Sequence, residues 1–163
     1  MLHCLRWFNI EYVGKVINME KILVPFDGSG YSQKAYEKAL EIAEKFESKI
    51  MVVTVLQSKI SDSTGVSIER MQEIQDEEVD IATTMLKKLE GQANTKNVPF
   101  AIKVIHNPSS EDGILAFAES NNVDLIVMGS HGRTGFRKLV LGSVANGVVG
   151  HAKCDVLITK GTE

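Results

Sequence analysis

Several common structural devices are missing from this chain. Its two cysteines, Cys4 and Cys154, stand far apart with no CxxC or His-paired spacing, which leaves no disulfide framework and points to reduced thiols in a reducing compartment. No stretch approaches the roughly 18–20 consecutive apolar residues that a membrane-spanning helix requires. There is no excess of positive charge either. The net charge is −3, with acidic and basic residues interspersed, so no basic field draws in a nucleic-acid backbone or an anionic membrane. Internal repeats and low-complexity tracts are absent as well. These absences leave a soluble, cytoplasmic protein as the expectation, with neither nucleic acid nor membrane as its partner.

A targeting segment is also missing. Residues 1–18 are broken up by Arg6, Glu11 and Lys15, and no apolar run of targeting length precedes a small-residue cleavage site. The core pattern starts at Met19, and Glu20-Lys21 lead straight into an apolar strand. The chain therefore divides into an N-terminal extension, 1–18, and one domain, 19–163. The extension is expected either to be loosely attached or to dock as a helix through Leu5, Phe8 and Tyr12.

What is present suits a single globular domain. With 163 residues, 44% hydrophobic and 24% charged, the chain can form one core without a metal or disulfide staple. Ile22-Leu23-Val24-Pro25-Phe26 reads as a strand covered on both faces, and Asp27-Gly28-Ser29-Gly30 as a turn in which Ser29 or Ser32 caps the next helix. Ala35, Ala39, Ile42, Ala43 and Phe46 recur at helical spacing. Ile50 to Leu56 gives a second strand, followed by a polar loop over 58–65. A long helix is expected over about 66–92, with Met71, Ile74, Ile81, Met85 and Leu89 inward and its methionines filling the core.

Phe100 to Ile105 is the third strand, and Pro108-Ser109-Ser110-Glu111-Asp112 starts the next helix. Leu125 to Met128 and Val156 to Ile158 supply the fourth and fifth strands, joined by a helix from Ser143 to about Gly150. This alternation predicts an α/β fold, a doubly wound parallel sheet with helices on both faces.

In such sheets ligands bind beyond the carboxyl ends of the strands, where strand order reverses. Two strands end in special residues. The first leads into Asp27-Gly28-Ser29-Gly30, and the fourth into a G-x2-G-x9-G-S segment running from Gly129 through Gly132 to Gly142-Ser143. Glycines there permit tight turns and unhindered amides, and a helix opening at Ser143 offers unpaired N–H groups to phosphate. Arg133, Arg137 and Lys138 lie between and could offset phosphate charge, or could simply be solvated. Neither G-x4-G-K-[ST] nor G-x-G-x-x-G occurs. A tight structural connection remains the alternative to a phosphate cradle.

Over about residues 21–160 the chain resembles the universal stress protein family. The resemblance is carried by ILVPFDGS, VDLIVMGSHGRTGFRKLVLGSVA and CDVLITK, and the glycine spacing resembles that of the ATP-binding branch. It implies five parallel strands in the order 3-2-1-4-5. It further implies that Pro25, Asp27 and Val55 line the adenine and ribose end, and that Met128, Gly129, Gly132, Gly142, Ser143 and Val144 hold ribose and phosphates. Asp27 would accept a ribose hydroxyl or help hold Mg2+, although a helix-capping role is the other reading of that residue. A homodimer through the last strand, about 155–159, is implied too; an unpaired edge there would favour aggregation. Two departures from the family pattern are the extension and His106-Asn107-Pro108, which puts the exit of the third strand in doubt.

The leading functional expectation is a nucleotide-dependent, homodimeric regulatory protein of the stress response, binding ATP, ADP or AMP. A slow ATPase or phosphotransferase would need a positioned base and a well-held Mg2+. His131 is the nearest candidate for that role, while His106 and His151 have no visible partner in sequence. A dimerising interaction protein without nucleotide is the third reading.

Overall fold

The computed structural model describes residues 11–12, 15–16, 19–57, 68–133 and 141–160. Its main sheet holds β1 (Lys21–Pro25), β2 (Lys49–Leu56), β3 (Phe100–His106), β4 (Leu125–Gly129) and β5 (Asp155–Thr159). All four pairings are parallel, as the alternation of elements predicts, and the strand order is β3-β2-β1-β4-β5, as the family resemblance implies. The helices between them are α1 (Gly30–Phe46), α2 (Ile68–Lys87), α3 (Glu90–Thr95), α4 (Ser110–Ser120) and α5 (Ser143–His151).

Alternation along the strands divides the core into two layers, because successive side chains leave a strand on opposite faces. Ile22, Val24, Ile50, Val52, Leu125 and Val127 meet Ala35, Tyr36, Ala39 and Leu40 of α1 and Leu86 of α2. Leu23, Val53, Ile126 and Met128 meet Ile114 and Ala118 of α4 and Ala145 and Val148 of α5. Continuous apolar runs are needed for strands buried on both sides.

Helix ends follow their sequence signals. The Ser29 hydroxyl accepts from Ser32 N at 3.1 Å to cap α1, and that of Ser109 accepts from Asp112 N at 3.2 Å to cap α4. The doubtful exit of β3 is orderly: Asn107 N donates to Leu56 O, and Asn107 Oδ1 accepts from Ser109 N.

Four expectations need correction. The helix expected over 66–92 is two helices, broken at Lys88-Leu89, with residues 66 and 67 outside the described set. Leu89 N donates to Leu86 O, a tightened turn, and the Leu89 carbonyl accepts the buried Tyr36 hydroxyl at 2.7 Å, which anchors the break to α1. Ile74 and Ile81 face outward, and Ala82, Leu86 and Leu89 form the buried face instead. Phe46, in the last turn of α1, is exposed, while Tyr36 and Leu40 complete that helix's buried stripe.

Tyr12 lies not on a docked helix but in a short antiparallel pair, Glu11–Tyr12 with Lys15–Val16; Gly14 is a poor helix former. Leu5 and Phe8 lie outside the described residues, as do Cys4 and the loop expected over 58–65. Cys154 is a free, half-buried thiol, and burial pushes it up from its ordinary pKa. Among the described residues no helix is long and apolar enough to cross a membrane.

Tyr36 joins α1 to the α2–α3 break while wholly buried, and burial pushes its hydroxyl up to about 12, so it stays a donor throughout the neutral range. Tyr36→Phe is therefore expected to destabilise the protein by about 1 kcal/mol, by removing one of the two hydrogen bonds to the Leu89 carbonyl, which keeps only the longer one from Gln92 N at 3.2 Å. Urea unfolding with an unchanged m-value would register that loss.

Candidate functional site

The site follows from the position of β1, which pairs with β2 on one side and β4 on the other, Ile22 standing opposite both Ile50 and Leu125. The connections from β1 and β4 leave to opposite faces of the sheet, and their loops begin side by side. This is the reversal point at which open α/β sheets leave a crevice.

The two loops touch through Asp27. Its Oδ1 accepts from Ser29 N at 3.0 Å and from Ser29 Oγ at 2.6 Å, while Oδ2 accepts from Arg133 N at 2.9 Å. Burial pushes the carboxyl upward, but these bonds, together with Ser32, outweigh it and hold the pKa below its ordinary value. Asp27 is thus a charged bridge between the exit of β1 and the glycine loop. Gly28 beside it has φ of +81°, a conformation that suits glycine alone, and a Cβ there would meet Met85 Sδ at 2.9 Å.

The glycines of the loop have distinct neighbours. A Cβ on Gly129 would lie 2.7 Å from Tyr31 Cβ, so its absence lets α1 close onto the end of β4. On Gly132 it would lie 2.7 Å from Asp27 Oδ2. On Gly142 it would meet Ser130 O at 3.2 Å and His131 Cα at 3.4 Å. Ser130, buried and not singled out by its sequence context, links these pieces. Its carbonyl accepts from Gly142 N at 2.8 Å, and its N–H donates to Thr159 O of β5 at 2.9 Å. The His131 ring lies 5.4 Å from that of Tyr31, centroid to centroid.

Eight of the residues expected at the site fall into three groups, and two lie apart. Asp27, Gly132 and Arg133 are in contact. Val55, Met128 and Val144 join a single apolar cluster on the α4–α5 face, where Val55 packs against Gly113 of α4. Gly142 and exposed Ser143 form the start of α5. Gly129 backs onto α1 on the opposite face, and Pro25 closes β1 opposite Val53. Arg137 and Lys138 lie outside the described residues.

At α5 the chain leaves its helix start open. The N-cap is Gly142, with no side-chain hydrogen bond and no acidic residue in the first turn, whereas serines cap α1 and α4. First-turn amides and the positive end of the helix are thereby left for an anion. His151, at the far end of α5, has a partner that the sequence did not reveal: its Nδ1 lies 3.0 Å from Glu111 Oε1 and 3.0 Å from Gly147 O. Among the described residues no three His, Cys, Asp or Glu converge to hold a metal ion.

Comparison with known proteins extends this picture. The profile of the Universal stress protein family matches residues 18–160. A universal stress protein of Methanocaldococcus jannaschii is 34% identical over 143 residues, covering 86% of this chain and 82% of that protein. Among solved structures, the universal stress protein UspA from Lactobacillus plantarum superposes with a TM-score of 0.77 at 25% identity, covering 86% of this chain and 97% of that one. The universal stress protein from Archaeoglobus fulgidus in complex with dAMP shares the fold, with a TM-score of 0.63 at 21% identity over 87% of this chain and 98% of its own.

The Asp27 bridge has a pH signature. A carboxyl whose folded pKa lies below its unfolded value of about 3.8 contributes stability that is complete above that value and is lost as pH falls through the lower, folded one. Asp27→Asn should therefore remove a stability increment that is constant near neutrality and shrinks below about pH 4. Urea titrations of both proteins across pH 2–7 would test this, and a difference that grows on acidification would contradict the bridge.

Proposed function

The chain belongs to the Universal stress protein family, and from that premise we propose that it is a regulatory module of the stress response that binds ATP or a related adenine nucleotide and acts as a homodimer. The observation that carries the reading is the open start of α5. A glycine N-cap with neither a capping side chain nor an acidic first turn, set at a strand-order reversal, has the chemistry of a phosphate site. The dAMP held by the Archaeoglobus fulgidus protein of the same fold supports adenine nucleotide as the ligand class.

The residues present fit such a ligand. Ser143 and Val144 offer backbone amides to phosphate, while Gly129, Gly132 and Gly142 keep side chains out of the loop, and Arg133 is an exposed cation beside it. Val55 and Met128 supply apolar surface for the base at the ends of their strands, with Pro25 closing β1 nearby. Asp27 retains one acceptor position on Oδ2, suited to a ribose hydroxyl or to Mg2+ accompanying the phosphates. Binding requires nothing beyond these groups, and no described arrangement favours hydrolysis over simple occupancy.

The same topology supports a dimer through β5. Among the described residues β5 is a sheet edge, paired with β4 alone, and Val156, Leu157 and Ile158 are only partly buried. Edge strands of this kind are commonly covered by a second chain.

Nucleotide released by denaturing the purified protein, identified by mass spectrometry, and calorimetric titration of the emptied protein with ATP and Mg2+ test the proposal. Co-purified adenine nucleotide or millimolar or tighter binding is expected, and the absence of both would overturn it. Gly142→Val should abolish binding, since its branched side chain crowds Ser130 O and intrudes where phosphate must sit. The variant should still sediment as a folded dimer.

A further inference from the structure

The sequence gives Asp27 a role towards the ligand, but the structure shows most of its hydrogen-bonding capacity already in use. Oδ1 accepts from both Ser29 N and Ser29 Oγ, which fills its two lone pairs, and Oδ2 accepts from Arg133 N. The Cα of Gly132 lies against the same Oδ2, so close that any side chain there would stand 2.7 Å from it. Gly132 thus lacks a side chain because Asp27 lies against it, whatever ligand sits above the loop.

We propose that Asp27 is a positioning residue for the glycine loop: its carboxylate anchors the Gly132-Arg133 turn to the start of α1 and so sets the loop amides in their phosphate-receiving arrangement. The proposal rests on the adenine-nucleotide reading for the identity of the ligand, but the anchoring itself is a property of the ligand-free protein. Three consequences follow from the geometry. The anchoring contribution of Asp27 to affinity is directed at phosphate, so it is present for ligands with and without sugar hydroxyls, whatever use the remaining Oδ2 acceptor position finds. Asp27 and Gly132 act as a pair, each demanding the other's chemistry. The Arg133 amide reports the charge on Asp27, because a hydrogen bond to an ionised carboxylate is stronger than one to its protonated form.

The full chain and the variants Asp27→Asn, Gly132→Ala, Asp27→Ser and the Asp27→Ser, Gly132→Ala double variant would be titrated calorimetrically with ATP, 2′-deoxy-ATP, 3′-deoxy-ATP and inorganic tripolyphosphate. Loss of one charge-assisted bond predicts that Asp27→Asn weakens ATP and tripolyphosphate by a similar factor, about 10-fold to 100-fold. Gly132→Ala should be damaging alone and nearly harmless once Asp27 is shortened to serine, a rescue that a general structural defect would not produce. Weakened ATP binding with unchanged tripolyphosphate binding, together with a matching loss for a deoxy analogue, would make Asp27 a direct ribose ligand and overturn the proposal.

Nuclear magnetic resonance of the ligand-free wild-type protein decides the question even if a variant fails to fold. The Arg133 amide shift should titrate with the same midpoint as the Asp27 carboxyl carbon. An amide shift that does not follow the carboxyl overturns the anchoring. Failure of the wild type to bind either ATP or tripolyphosphate would instead refute the nucleotide reading, and the amide titration would still decide whether Asp27 holds the loop.

Discussion

The arrangement depends above all on the pairing of β1 with both β2 and β4. A parallel neighbour on each side places β1 at the centre of the sheet, and the chain must then leave it towards one face while leaving β4 towards the other. Two loops that are about a hundred residues apart in sequence come to adjoin, as the Arg133 to Asp27 hydrogen bond records. The same pairing buries both faces of β1, and Ile22, Leu23 and Val24 are completely inaccessible to solvent. Loss of this pairing would remove the core and the crevice together.

Much of this was legible in the sequence. Unbroken apolar runs marked the five strands, because a strand covered on both faces has no polar side to alternate with. Ser29, Ser109 and the glycine start of α5 marked helix beginnings through the chemistry of their side chains, or the lack of one. Less legible were features decided by tertiary contact. The break between α2 and α3 depends on a tyrosine on a different helix, Tyr36, whose hydroxyl takes the Leu89 carbonyl. Ile74 and Ile81 fit a helical period yet lie outward, since periodicity defines a stripe without saying which of two neighbouring stripes meets the sheet.

The candidate site shows the same division. Its members could be named from spacing and resemblance, but what each glycine avoids could not. Gly129 makes room for Tyr31, Gly132 for Asp27 and Gly142 for the Ser130 carbonyl, so the glycine spacing is a packing solution. Ser130 could not be found by residue type, since it acts through its backbone, joining the start of α5 to the last residue of β5. Nor did His151 carry a sequence signal: Glu111, its partner, is forty residues away and reaches it only because Gly147 leaves space. The start of α5 and the end of β5 are consequently adjacent in this fold, connected through the backbone of a single residue.

The central claim is that a nucleotide occupies the crevice between the two loops, with its phosphates at the start of α5. Amide chemical-shift mapping of isotopically labelled protein during titration with ATP tests it most directly. The account predicts that the largest shifts fall on Gly28, Ser29, Gly132, Arg133, Ser143 and Val144, residues drawn from both loops and from the first turn of α5. Shifts confined to other surfaces, or none at saturating ATP, would contradict it.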